Sequence, residues 1–130
     1  KITGISKALD LTYSGRIIDS QEALDISLIS SIHEPAHLIN DAIGITSELV
    51  KKSAPVSIAL TRQMLWRSLG DSDPYNAHVI ESKAIDSRGA SEDAKEGVNS
   101  FLEKRPAKFT NKISSDMPKF FPWWDDNTEE

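Results

Sequence analysis

Phe101 and Lys104 stand three residues apart in the run "SEDAKEGVNSFLEKRPAKF", residues 91–109. On a helix, residues at that spacing share a face. The ring offers a stacking platform, and the ammonium is a point charge suited to phosphate. Residues 102–120 carry a net charge of +3: Lys104, Arg105, Lys108, Lys112 and Lys119 stand against Glu103 and Asp116. A ring beside cations suits an adenine nucleotide bearing a phosphate. The same residues also have a plain structural reading. Phe101 continues an apolar stripe with Ala94, Val98 and Leu102, while Lys104 and Arg105 complement the negative end of a helix dipole. On residue chemistry alone the structural reading carries the greater weight.

Other candidates are weaker. His33, His37 and His78 form no metal-binding pattern, since Pro35 interrupts the first two and no carboxylate sits at zincin spacing. All three are expected to be structural or solvated. Serine, histidine and aspartate are all present, yet no nucleophile elbow or comparable local signature marks a triad. The glycines are isolated, so no phosphate-cradling loop is expected. Glu92, Asp93 and Glu96 read as dipole complement and solubilising charge. The sequence therefore points to no catalytic residue and no metal site.

Bulk properties narrow the classes further. A chain of 130 residues suggests one domain, long enough to bury a core. The net charge is −5, but Asp125, Asp126, Glu129 and Glu130 lie in the last six residues, and without them it is −1. That balance gives no nucleic-acid footprint. Cysteine is absent, which excludes disulfides, thiolate zinc sites and a cysteine nucleophile. A reducing cytoplasm is the expected location. No apolar run approaches the roughly 20 residues of a membrane span, and no signal peptide is visible. The chain starts at Lys1 without an initiator Met, so it is expected to be a piece of a longer protein.

Six helices must position these residues, and the expected fold is all-α with an irregular aromatic tail. The first spans residues 5–14, with Gly15 to end it. The second opens at "DSQE", where Asp19 and Glu22 approach a capping box. Residues 28–32 read as extended or irregular. The third covers about 35–52, with Pro35 at its first position and a stripe of Leu38, Ile39, Ala42, Ile45, Leu49 and Val50. The fourth starts near Pro55 and runs to Gly70. The fifth runs from Pro74 to Gly89. Ser91 caps the sixth, and Pro106 stops it. The helical domain is placed at 1–112 and the tail at 113–130, whose end, "DDNTEE", is expected to be disordered. Phe120, Phe121, Trp123 and Trp124 each gain roughly 1.5–3 kcal/mol from burial. They are expected to lie as a cover over the chain's own helices or a neighbour's.

Three stretches carry a family resemblance. "ALDLTYSGRIIDSQEALDISLIS", "SAPVSIALTRQML" and "SEDAKEGVNSFLEKRPAKF" resemble the crotonase (enoyl-CoA hydratase/isomerase) superfamily over residues 4 to about 109. Ser27 stands where the family has Gly, and Ser14 where Thr is common; both differences are expected to concern packing. The resemblance implies that the chain is the helical C-terminal part of a protein about twice as long. The missing half would hold the βαβ core, the oxyanion N–H donors and the acidic residues acting on substrate. The present half would drive trimer or hexamer formation and close the active site. Phe101 and Lys104 match positions that line the adenine and 3′-phosphate end of coenzyme A. The resemblance further implies an acyl-CoA substrate, most simply a 2-enoyl-CoA undergoing hydration, and no tightly bound cofactor. Isomerase, hydrolase and dehalogenase chemistry stay open, as does a free-standing helical oligomerisation module without a ligand. No nucleic-acid or membrane partner is expected, and the piece alone should self-associate and be inactive.

Overall fold

The computed structural model describes residues 1–124. They form six helices with no strand among the described residues: α1 (Ile5–Ser14), α2 (Ser20–Asp25), α3 (Leu38–Lys51), α4 (Pro55–Ser68), α5 (Pro74–Gly89) and α6 (Glu92–Leu102). The all-α expectation is met. The expected acidic end, residues 125–130, lies outside the described residues. The helices fall into two compact units, Lys1–Ile45 and a second starting at Thr46, with the boundary inside α3.

In the first unit, local chemistry sets the helix ends. Gly15 takes a left-handed conformation and its N–H closes α1 on Leu11. The Asp19 carboxylate accepts the Glu22 N–H at 2.8 Å and starts α2. The capping box is only half formed, because Glu22 turns to Arg16 instead, at 2.6 Å. Arg16 also reaches Asp10 of α1 at 3.2 Å, so one guanidinium links α1 to α2. That pairing, led by the Arg16 hydrogen bond, lowers the pKa of Glu22.

The end of α2 corrects one expectation. Ser27 has φ 59°, its N–H bonds Leu24, and the Leu28 N–H bonds Ala23. This is a Schellman closure, which favours glycine at the left-handed position. The difference at Ser27 thus concerns backbone conformation as well as packing. The start of α3 is also later than expected. Pro35 to His37 form a turn in which the Glu34 carbonyl accepts the His37 and Leu38 N–H groups, and regular helix begins at Leu38. Proline tolerates that turn as readily as a first helical position.

In the second unit, Pro55 and Pro74 occupy the opening turns of α4 and α5, as their fixed φ suggests. Val56 and Leu60 of α4 are 0% exposed and meet Ala84 of α5. Met64, Met117, Phe120, Phe121 and Trp123 pack against this cluster. The aromatic tail therefore covers the helices of its own chain. Arg67 closes the arrangement, its guanidinium 3.5 Å from the ring centre of Trp124. Among the described residues no helix is long and apolar enough to cross a membrane.

Candidate functional site at the end of α6

Ser91 starts α6 in both directions at once. Its hydroxyl accepts the Ala94 N–H at 3.2 Å and donates to the Arg88 carbonyl at 2.6 Å. The apolar stripe, which as a core element would face inward, does not. Val98, Phe101 and Leu102 are exposed, and Phe101 is 82% so. The buried residues of α6 are Asp93 and Ser100. Gly97 lies between them on the same face, and a side chain there would meet the ring of Phe109. The physical reason lies in what returns against that face: a run of irregular backbone, residues 107–112, whose N–H groups need acceptors more than apolar cover.

Asp93, 2% exposed, supplies two such acceptors through one oxygen, taking the Thr110 N–H at 2.8 Å and the Asn111 N–H at 3.2 Å. Glu96 holds the Arg105 guanidinium at 2.6 and 2.9 Å and accepts the Lys108 N–H at 2.7 Å. These contacts, the Arg105 hydrogen bond first, lower the Glu96 carboxyl to about 2. Arg88 of α5 adds a bond to the Asn111 side chain at 2.6 Å. By helical spacing alone Asp93 and Glu96 read as dipole complement and solubilising charge. Their acidic type is explained instead by the returning backbone, which cannot be seen from helical spacing.

The helix ends in a second Schellman closure. The Lys104 N–H bonds the Phe101 carbonyl at 3.2 Å, and the Arg105 N–H bonds Ser100 at 3.0 Å. Lys104 itself occupies the left-handed position, with φ 53°. A non-glycine residue there is strained by roughly 1–2 kcal/mol. No hydrogen bond or ion pair to another described residue engages its ammonium, whereas neighbouring Arg105 is fully committed to Glu96 and Glu103. Of the two cations after Phe101, only Lys104 thus has no ion-pair partner among the described residues. An exposed ring and an available ammonium stand at the mouth of a segment pinned from behind by Asp93 and Glu96. Such a surface can stack a flat heterocycle and neutralise an attached phosphate.

The histidines do not join this site. His37 is exposed, His78 lies near Tyr75, and His33 is part-buried between Ser31 and Asp41. No cluster of metal-ligating side chains occurs among the described residues.

Residues 1–112 match the family described as enoyl-CoA hydratase/isomerase. The chain is 33% identical over 114 residues to enoyl-CoA hydratase ACTT3 of Alternaria alternata, covering 87% of this chain and 38% of that protein. It is 32% identical over 105 residues to the short-chain-enoyl-CoA hydratase of Clostridium acetobutylicum, covering 81% and 40%. Its fold matches the crystal structure of an enoyl-CoA hydratase from Bacillus anthracis with a TM-score of 0.78 at 24% identity, covering 85% and 42%. The chain therefore spans about two fifths of the length of these relatives.

Proposed function

Because this chain belongs to the enoyl-CoA hydratase/isomerase family, we propose that it is the helical C-terminal part of an enzyme that adds water to a 2-enoyl-CoA thioester. In this reading Phe101 and Lys104 hold the nucleotide end of coenzyme A, the ring against adenine and the ammonium against phosphate. The observation that carries it is the end of α6, where a ring 82% exposed is followed three residues on by a lysine kept in a conformation glycine would fill more easily. Strained residues of this kind cluster where a ligand is held.

Thioester hydration places negative charge on the carbonyl oxygen as water adds at the β-carbon. Fixed N–H donors stabilise that charge, and a carboxylate moves the protons. Those groups are assigned to the remainder of the family's length. The part described here contributes remote binding energy, which holds the acyl group in register for the chemistry. It is expected to be inactive alone and to need no tightly bound cofactor. Its exposed apolar residues, including Ile17 at 97% and Leu65 and Trp66 of α4, fit a surface that packs on the rest of the enzyme and on further copies of it. A trimer or hexamer in the cytoplasm completes the reading.

The test is titration of the full-length protein with coenzyme A. Replacing Lys104 by Ala should weaken binding about tenfold, the equivalent of 1.4 kcal/mol. Unchanged affinity would remove Lys104 from the site. No measurable coenzyme A binding by the unaltered full-length protein would favour a helical assembly module without a ligand.

A further inference from the structure

Residues 31–34 run without regular structure between α2 and α3, so side chains two apart can point to one side. Ser31 and His33 do so. The Ser31 hydroxyl lies 2.7 Å from His33 Nε2, and His33 Nδ1 lies 2.7 Å from an Asp41 carboxylate oxygen. Asp41 sits in the first turn of α3, where the helix holds its backbone and favours its negative charge. Its N–H bonds the His37 carbonyl at 2.9 Å, which fixes the turn beneath it.

The hydrogen-bond roles follow from the chemistry. A carboxylate only accepts, so His33 Nδ1 carries the proton in the neutral ring. Nε2 is then the acceptor, and the Ser31 hydroxyl must donate to it. This is the arrangement that makes a serine nucleophilic: a base poised on its proton, with a third group orienting the base. The Ser31 residue is exposed and the His33 side chain is 21% exposed, so a small reagent reaches the hydroxyl from solvent while the imidazole stays in place.

We propose that Ser31, with His33 as general base and Asp41 as positioning residue, is an acyl-acceptor site for small activated carboxylic esters. It is independent of Phe101 and Lys104. In the step, His33 Nε2 takes the Ser31 proton as Oγ forms a bond to the acyl carbon. The bond from that carbon to the leaving oxygen breaks. The leaving alkoxide departs with the electron pair, and the imidazolium then gives up its proton. The products are O-acyl-Ser31 and the alcohol, with no change of oxidation state.

The probe is p-nitrophenyl acetate. Exposing the full chain to it should release nitrophenol and leave one acetyl group on the peptide containing Ser31. Hydroxylamine should remove that group, since it is an ester; amides on lysines resist. Ser31→Ala should abolish this label. His33→Ala should slow it about 100-fold, the lower range for a positioned base, and added imidazole should restore part of the rate. Asp41→Asn should slow labelling, because an amide can donate to Nδ1 and force the other tautomer, while Asp41→Glu should recover part of it. Unchanged helical circular dichroism in each variant shows that the fold persists. Hydroxylamine-resistant label alone, or Ser31 labelled equally fast in His33→Ala, would overturn the assignment.

Discussion

Replacing Lys104 by Gly separates conformation from ligand binding at one position. Lys104 has φ 53° at the left-handed position of the α6 closure. Relief of that strain is worth roughly 1–2 kcal/mol. Glycine also gives the unfolded chain more freedom, which offsets roughly 0.4–1 kcal/mol. The net gain is about 0.5–1 kcal/mol, or a rise in midpoint temperature of about 3 °C. Alanine keeps the strain, so Lys104→Ala should show no such gain. Both variants lose the ammonium. A charge-assisted bond is worth roughly 1.5–3 kcal/mol, and the exposed setting places the loss at the low end, about tenfold in affinity. Thermal unfolding and calorimetric titration of the full-length protein with adenosine 3′,5′-bisphosphate measure the two effects separately. The expected pattern is a more stable glycine variant that binds as weakly as the alanine one. Equal stability of the two variants would refute the strain argument. Retained affinity in both would refute the role of the ammonium.

Other outcomes follow from the residues behind the site. Asp93→Ala leaves the N–H groups of Thr110 and Asn111 without their acceptor. At roughly 1–3 kcal/mol for each orphaned group, the loss is about 2–6 kcal/mol in urea unfolding followed by tryptophan fluorescence. Asp93→Asn keeps an acceptor oxygen and should lose less than half as much. The folded Glu96 carboxyl titrates at about 2, below its ordinary 4.5. Its stabilisation is therefore complete above pH 4.5 and lost as the pH falls through about 2. The urea midpoints of the unaltered chain and Glu96→Gln should differ constantly from pH 7 to 5 and converge toward pH 2. Ser27→Gly at the α2 closure should stabilise by about 0.5–1 kcal/mol without touching nucleotide affinity, as calorimetry checks.

What the sequence made legible was local. Asp19, Ser91, Pro55 and Pro74 begin helices through groups within four residues of themselves, so their spacing suffices. The inward face of α6 was not legible because Asp93, Gly97 and Ser100 are inward only once residues 107–112 fold back, which is a tertiary event. The start of α3 was misplaced because proline suits a turn and a helix alike. Phe101 and Lys104 stood out through family resemblance, since on residue chemistry alone core and ligand readings competed. His33 reads in the sequence as structural or solvated, and nothing ties it to Ser31 and Asp41, because a serine two residues before a histidine means nothing until the path of residues 31–34 is known. The aromatic cover was legible in kind, from the burial owed to its rings, though not in its target.

The packing of Met117, Phe120, Phe121 and Trp123 on Val56, Leu60 and Ala84 has a temporal side. During synthesis α4 and α5 leave the ribosome before the segment that roofs them. Until that segment emerges, Val56 and Leu60 face water, and the nascent helices present an oily surface that chaperones or sister chains can seize. Native packing of this unit therefore awaits translation beyond Trp123, past the residue at which the family match ends.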